Sequence, residues 1–495
     1  MALFTRDDRT DLVGAETGEP RTPLPVRMVA SEEYLPVPQT ARQREAEARL
    51  YALSDDIAPR LGLSRREFFR TSAGMAAAFV ALNSTFGLLF SADAAEAATP
   101  DAADARARAL SGQFIMDMHT HFLRDDTRLM NFVKMRESVA AQGWNPQLSE
   151  AGSQTIDDLK FGNYFKEIFL DSDTKIALIS SAPSEIPDDW FLTNQQMARA
   201  RETVNGKAGA KRMMTHAIIT PGAPGWLDAL DAAIELKPDS LKGYTVGDNT
   251  HKELARHPWR MDSDETYRGY EKAAKAGIRN ICVHKGLWGR GLDESFPQLA
   301  PYARVDDVAK AAKDWPQLNF IIYHAAYRLD DPEWALNQFE KTGRTDWVTD
   351  LAEIPEKHGV TNVYADLGQI FAQTLAAQPR LCAAIMVQLI KGLGADHVCW
   401  GTDAVWTGSP QWQIEGLRRL EIPEDMRKAH GFDPLGAADG PVKTAIFGGN
   451  NARLYGIEQV QQEAVTSDRF ASMRRDYLAA GATPSNRRYG YVRRG

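Results

Sequence analysis

The chain has 495 residues, 43% hydrophobic and 25% charged, which is ordinary globular composition with room for one large domain and extensions. A net charge of -8 and a pI near 5.8 argue against nucleic acid as the main partner, and no long basic stripe offsets them. Cys282, Cys382 and Cys399 are odd in number and widely spaced, so they exclude a disulfide framework and read as buried free thiols.

Residues 1–63 form a polar leader with prolines at Pro36 and Pro38 and an expected helix near Arg42–Leu53. Ser64-Arg65-Arg66-Glu67-Phe68-Phe69-Arg70 then precedes a stretch from Thr71 to Ala92 without an ionisable side chain, interrupted by Asn83, Ser84 and Thr85. Ala95-Glu96-Ala97 follows as a small-x-small cleavage pattern. Residues 64–97 thus resemble a bacterial twin-arginine signal, although such signals usually begin near the N-terminus and about sixty residues come first here. The resemblance implies recognition by the twin-arginine export machinery and a periplasmic or exported protein, membrane-anchored if the segment stays uncleaved. It also implies export of a folded protein, often with its cofactor loaded. Residues 1–97 are therefore set apart from the fold.

From about Ser111, short apolar runs alternate with helical ones. Eight strands are predicted: Phe114–His119, Lys175–Ser180, Met213–Thr220, Leu241–Val246, Asn280–His284, Asn319–His324, Asn362–Asp366 and His397–Asp403. Amphipathic stretches at Trp226–Leu236, Tyr267–Ala276, Val305–Lys313 and Gln373–Lys391 lie between them. The alternation predicts an α/β fold with a parallel sheet and crossover helices, either closed as a (β/α)8 TIM barrel or open and doubly wound. Polar residues decide for the barrel over residues 98–457. His119, His121, His284, His324, Asp366 and Asp403 all fall at C-terminal strand ends, which a barrel gathers at one mouth and an open sheet spreads apart. Residues 458–495 form a C-terminal extension. Its basic end, Arg487-Arg488-Tyr489 to Arg493-Arg494, reads as solvated or oligomer-contacting, which leaves a homo-oligomer open.

His119 and His121 occupy one strand face, so their imidazoles converge. A lone strand-end histidine is usually a satisfied polar residue. Four of the chain's ten histidines at the ends of strands 1, 5 and 6, with Asp403 ending strand 8, point to a metal site.

Asp117-Met118-His119-Thr120-His121, the strand 5 and 6 histidines, Gly401-Thr402-Asp403 and the closing Phe447-Gly448-Gly449-Asn450-Asn451-Ala452-Arg453-Leu454-Tyr455-Gly456 together resemble the amidohydrolase superfamily, amidohydrolase-2 branch, over roughly residues 111–457. The resemblance implies that His119, His121 and His284 supply nitrogen ligands. Asp403 would ligate the metal or hold its water, and His324 would polarise the substrate or serve a second metal. Three nitrogens and one oxygen suit one Zn²⁺, with Mn, Fe and Cu left open. Two-metal members carry a carboxylated lysine on strand 4. Lys242 falls near the start of that strand, which favours one metal. Asp366 and Asp117 read as carboxylates that orient the ligands.

The implied chemistry is hydrolysis of an amide, ester or lactone bond in a small, aromatic or apolar substrate. Asp403 would carry the proton and His324 would stabilise charge. The branch also contains non-oxidative decarboxylases, in which His324 or Asp403 would protonate carbon. A third alternative is an exported metal-binding protein without turnover. Trp288, Arg290, Trp406 and Arg260, the last with His251 and His257 nearby, are the candidate pocket residues, the arginines for a substrate carboxylate.

Overall fold

The computed structural model describes residues 22–27, 29, 39–142, 152–329 and 331–484. Pro36 and Pro38 of the leader and the basic end at Arg487–Arg494 lie outside the described residues.

Eight parallel strands follow one another in sheet order and in chain order. They are β1 (Met116–Thr120), β2 (Ile176–Ile179), β3 (Met213–Ile219), β4 (Ser240–Tyr244), β5 (Asn280–His284), β6 (Asn319–Tyr323), β7 (Val363–Asp366) and β8 (Val398–Cys399). β8 returns to β1 through Met118 N–H to Trp400 O (3.1 Å) and Asp403 N–H to His119 O (2.8 Å), with a parallel bridge between Thr120 and Ala404. The sheet is thus a (β/α)8 barrel, as the placement of the polar residues predicts.

Each predicted strand is present. β8 is shorter than expected: its pairing with β7 ends at Cys399, and the backbone enters the left-handed region at Asp403 (φ 58°). The run Gln373–Lys391, read as one helix, is two: Gly368–Leu375 and Pro379–Leu393. Pro379 has no amide hydrogen to continue the first helix and starts the second.

The strands are buried on both faces, so β-branched and other bulky apolar residues recur in them. Met116, Met118, Cys282, Ile321, Tyr323 and Cys399 fill the barrel interior, and Ala452, Ile457 and Val465 pack against them from the C-terminal segment. The three cysteines are free and buried, as expected.

The segments set apart in the sequence are packed onto the barrel wherever they are described. Thr40 and Gln43 form a capping box that starts a helix at Ala41–Arg60, longer than the predicted Arg42–Leu53. The uncharged stretch forms the helix Ser72–Phe86, in which Ala76, Ala77, Phe79 and Leu82 are fully buried within the main core. Leu89 and Phe90 continue into a short antiparallel pairing with Leu420 and Glu421, through Glu421 N–H to Leu89 O (2.7 Å) and Ser91 N–H to Arg419 O (2.7 Å). Residue 97 is therefore not a packing boundary. Among the described residues, no helix is long and apolar enough to cross a membrane. The C-terminal helix Arg469–Ala479 is docked as well, with Phe470 edge-on to Phe165 and Asp468 paired with Arg212.

Candidate metal centre

β1 brings two histidines to the mouth by a local break in its ladder. Met116 and Met118 face the interior, and the register shifts between Asp117 and Thr120. A bulge of this kind re-aims the next side chain, so His119 and His121 join the mouth while Met118 stays below. Asp117 holds the turn: its Oδ1 accepts the amides of His119 (3.1 Å) and Thr402 (3.1 Å), and its other oxygen accepts the Thr402 hydroxyl. Burial pushes the Asp117 carboxyl up to about 7, against the pull of those bonds.

Asp403 Oδ1 lies 3.2 Å from His119 Nε2 and 3.2 Å from His121 Nε2. His119, His324 and Asp403 each bring a ligand atom to within 4.8 Å of the others. The His284 ring is 4.7 Å from that of His324, edge to face. Two buried imidazole nitrogens, His121 Nδ1 and His284 Nε2, have no hydrogen-bond partner among the described residues. A buried polar atom without a partner is costly, so the bare Nε2 of His284 fits a nitrogen left for a divalent cation, whereas the His121 nitrogen turned to Asp403 is Nε2 and its bare Nδ1 is on the other side of the ring. Burial, followed by the Lys242 ammonium, holds the His119 and His284 pKa values well below the usual histidine range. Neutral imidazole is the form that binds metal. Among the described residues, the group whose ligand atoms lie close enough together to hold one ion is His119, His324 and Asp403; His121, 3.2 Å from the same Asp403 oxygen, and His284, ring to ring with His324, stand beside it.

Asp366 Oδ2 is 2.8 Å from His119 Nδ1, so the carboxylate fixes the ring with Nε2 toward the cluster. A Cβ on Gly401 would collide with Asp366 Oδ1 and His119 Cβ, which explains the glycine there. Asp366→Asn is expected to lower metal affinity about 10- to 100-fold while leaving the melting curve of metal-free protein near wild type. Competition against a chelator measures this, and unchanged affinity would show that Asp366 does not support His119.

His324 is placed by backbone conformation. It and the next two residues, Ala325 and Ala326, have φ of 58°, 46° and 53°, a left-handed turn that costs about 1–3 kcal/mol per residue. The Gln369 amide donates to His324 Nδ1 (3.2 Å). That nitrogen is then the acceptor, and the neutral ring carries its hydrogen on Nε2. His324 can thereby donate from Nε2, and it also stands in the group with His119 and Asp403 that could hold a metal ion.

Of the predicted pocket residues, Trp406 is at the site, 5.4 Å ring to ring from His121 and packed with Phe132 and Phe191. The other three have different partners. Trp288 donates from Nε1 to Asp293 (2.9 Å) and packs in a separate cluster with Val246 and Trp347. Arg290 is exposed, with its guanidinium 4.5 Å above the Trp334 ring. Arg260 is paired with Asp262 (2.8 Å) and Asp306 (2.9 Å), so its charge is engaged away from the histidines. His251 pairs with Asp189 (2.8 Å). Lys242 lies in the middle of β4, because that strand starts earlier than expected, and its Nζ sits 3.1 Å from the Tyr323 ring centroid.

The sequence reading missed Tyr244 and Gln369. Tyr244 stacks on His284 at 4.9 Å and 22°. Two-residue alternation from Lys242 puts it on the inner face, and that signal could have found it.

No curated protein matches the chain. Among solved structures it is similar to 5-carboxyvanillate decarboxylase LigW from Sphingomonas paucimobilis, with 13% identity, 70% of this chain and 100% of that chain covered, and a TM-score of 0.40. An amidohydrolase from Burkholderia multivorans gives 13% identity, coverage of 70% and 100%, and a TM-score of 0.41. The apo form of Metarhizium anisopliae IDCase gives 16% identity, coverage of 71% and 99%, and a TM-score of 0.38. Residues 116–457, the whole barrel from β1 to the closing helix, match the amidohydrolase family (Amidohydro_2), and the chain belongs to that family.

Proposed function

We propose that the protein is a hydrolase that uses one divalent metal ion, zinc first, to cleave an amide, ester or lactone bond of a small organic substrate. The observation that carries this is the convergence of His119, His121 and Asp403 on one point, with the unpartnered Nε2 of His284 beside it. When bound, the metal supplies a Lewis acid and an acidified water. Asp403, buried beside both β1 histidines, accepts a proton at Oδ1 and can return it to a leaving group. His324 donates from Nε2 to the oxygen that gains charge, with Gln369 holding the ring. Phe191, Phe132 and Trp406 exclude water from one side.

A second reading is a non-oxidative decarboxylase, in which CO₂ leaves, the electron pair of the broken bond stays on carbon and takes the proton of a protonated Asp403, solvent water restores that proton, and His324 donates a hydrogen bond from Nε2 to the substrate. Metal-loaded protein incubated with panels of esters, lactones and aromatic carboxylic acids separates the readings. Release of CO₂ without hydrolytic product supports the lyase, and a new carboxylate without CO₂ supports the hydrolase. Turnover by neither route, with tight metal uptake, would leave a binding protein.

Twin-arginine export belongs to the same proposal. Arg65 and Arg66 are exposed, with Arg65 against Asp55 (2.5 Å), whereas the helix after them is buried. Export would then carry a folded molecule with its segment attached. Replacing Arg65 and Arg66 by lysine is expected to retain the protein in the cytoplasm; undiminished periplasmic protein in cell fractionation would count against the export route.

A further inference from the structure

A cavity of about 160 Å³ opens beside the metal centre, between the ends of β3 and β4 and the loops that follow β2 and β4. Trp190, Trp259 and Tyr244 supply aromatic walls, and Glu185, Asp248 and His257 supply the charged or titratable groups. Tyr244 belongs to both places, since its ring also stacks on His284 at 4.9 Å.

The cavity is built and held. A Cβ on Gly243 would run into the Trp259 ring, so the bare glycine lets the indole lie against β4. Asp248 joins the two loops. One oxygen accepts Ser184 Oγ (2.7 Å) and the Glu185 amide (2.7 Å); the other accepts the Thr250 amide (3.0 Å) and hydroxyl (3.0 Å) and the His251 amide (2.8 Å). Trp190 Nε1 is anchored on Ser184 O (2.8 Å).

Every one of those donors to Asp248 is neutral, so they fix the carboxylate without cancelling its charge. Glu185 Oε1 likewise accepts a neutral backbone amide, that of Arg256 (3.2 Å). No lysine or arginine lines the cavity among the described residues. Aromatic faces with uncompensated carboxylates attract organic cations and repel anions. We propose that this cavity binds a protonated amine or quaternary ammonium group, carried by the end of the substrate remote from the reacting carbonyl or carboxylate. The proposal rests on reading the barrel mouth as the reaction site.

Benzyltrimethylammonium is the probe, because its charge does not depend on pH. Isothermal titration compares it with benzyl alcohol and benzoate, on metal-loaded and chelator-stripped protein. The expected result is saturable binding of the cation to both forms, at least tenfold tighter than the alcohol. Glu185→Gln and Trp190→Leu, both in loops, should each weaken it about two- to fivefold with unchanged melting. Gly243→Ala, which drives Trp259 into the space, should abolish it. Equal affinity for alcohol and cation, no detectable binding at millimolar concentrations, or indifference to Glu185→Gln and Trp190→Leu would overturn the proposal. His119→Ala separates the two readings: it should remove the metal and leave cation binding intact. Metal retained by that variant condemns the reaction site and not the cavity.

Discussion

Asp403→Asn is expected to abolish turnover by roughly 100- to 10,000-fold while leaving most of the metal in place. The side chain is buried, its Oδ1 is equidistant at 3.2 Å from His119 Nε2 and His121 Nε2, and its backbone is tied to β1 through the His119 carbonyl. Asparagine preserves the shape and one acceptor oxygen, so the backbone bond and the packing survive. What it loses is the capacity to take up a proton. His284→Ala is the contrasting variant: it removes the ring whose Nε2 has no other partner and should empty the site. Elemental analysis with single-turnover kinetics on both variants reads the result. An Asp403→Asn enzyme that turns over normally would remove Asp403 from the proton path, and a fully occupied His284→Ala protein would remove His284 from the ligand set.

The barrel was legible because each strand is a short apolar run and most end in a residue with no reason to be buried unless it works. His284 and Asp366 end their strands where the alternation of the sequence puts them. The pairing of His119 and His121 was legible for a reason only partly right. Simple alternation would have turned Met118 away from the interior, and the register shift in β1 lets it face inward below the histidines. The tautomer of His324 was not legible. It depends on an amide at Gln369, 45 residues away, and on three successive left-handed residues that no side chain announces. The arginines misled because a charge in a βα loop looks available in sequence, whereas Arg260 has carboxylates at positions 262 and 306 within reach.

The largest stability effect is expected from the N-terminal segment. An uncharged, alanine-rich stretch has the same composition whether it is a targeting sequence or a buried helix, so the sequence could not separate them. The structure gives the stretch from Ser72 to Phe86 a buried place, and Arg419 shows how closely the barrel depends on it. That guanidinium is almost fully buried, pairs with Glu96 (2.6 Å) and Glu415 (3.3 Å), donates to Ser91 O (3.0 Å) and lies 5.5 Å from the Phe79 ring centroid. Cutting the chain after Ala97 removes Glu96, Ser91 and Phe79 together and leaves the cation with Glu415 alone. It also strips Phe68, Phe79, Leu82 and Phe90 from the main core, each worth about 1.5–3 kcal/mol of burial. Their sum is comparable to the roughly 5–15 kcal/mol by which a whole domain is stable, so a chain starting at residue 98 should not fold. The single substitution Phe79→Ala should cost about 3–5 kcal/mol, because it leaves a cavity under a buried charge. Chemical denaturation of Phe79→Ala, and circular dichroism of the shortened chain, measure both. A chain from residue 98 that melts like the full-length protein and still binds metal would show that the segment only leans on the barrel, and would restore a removable signal.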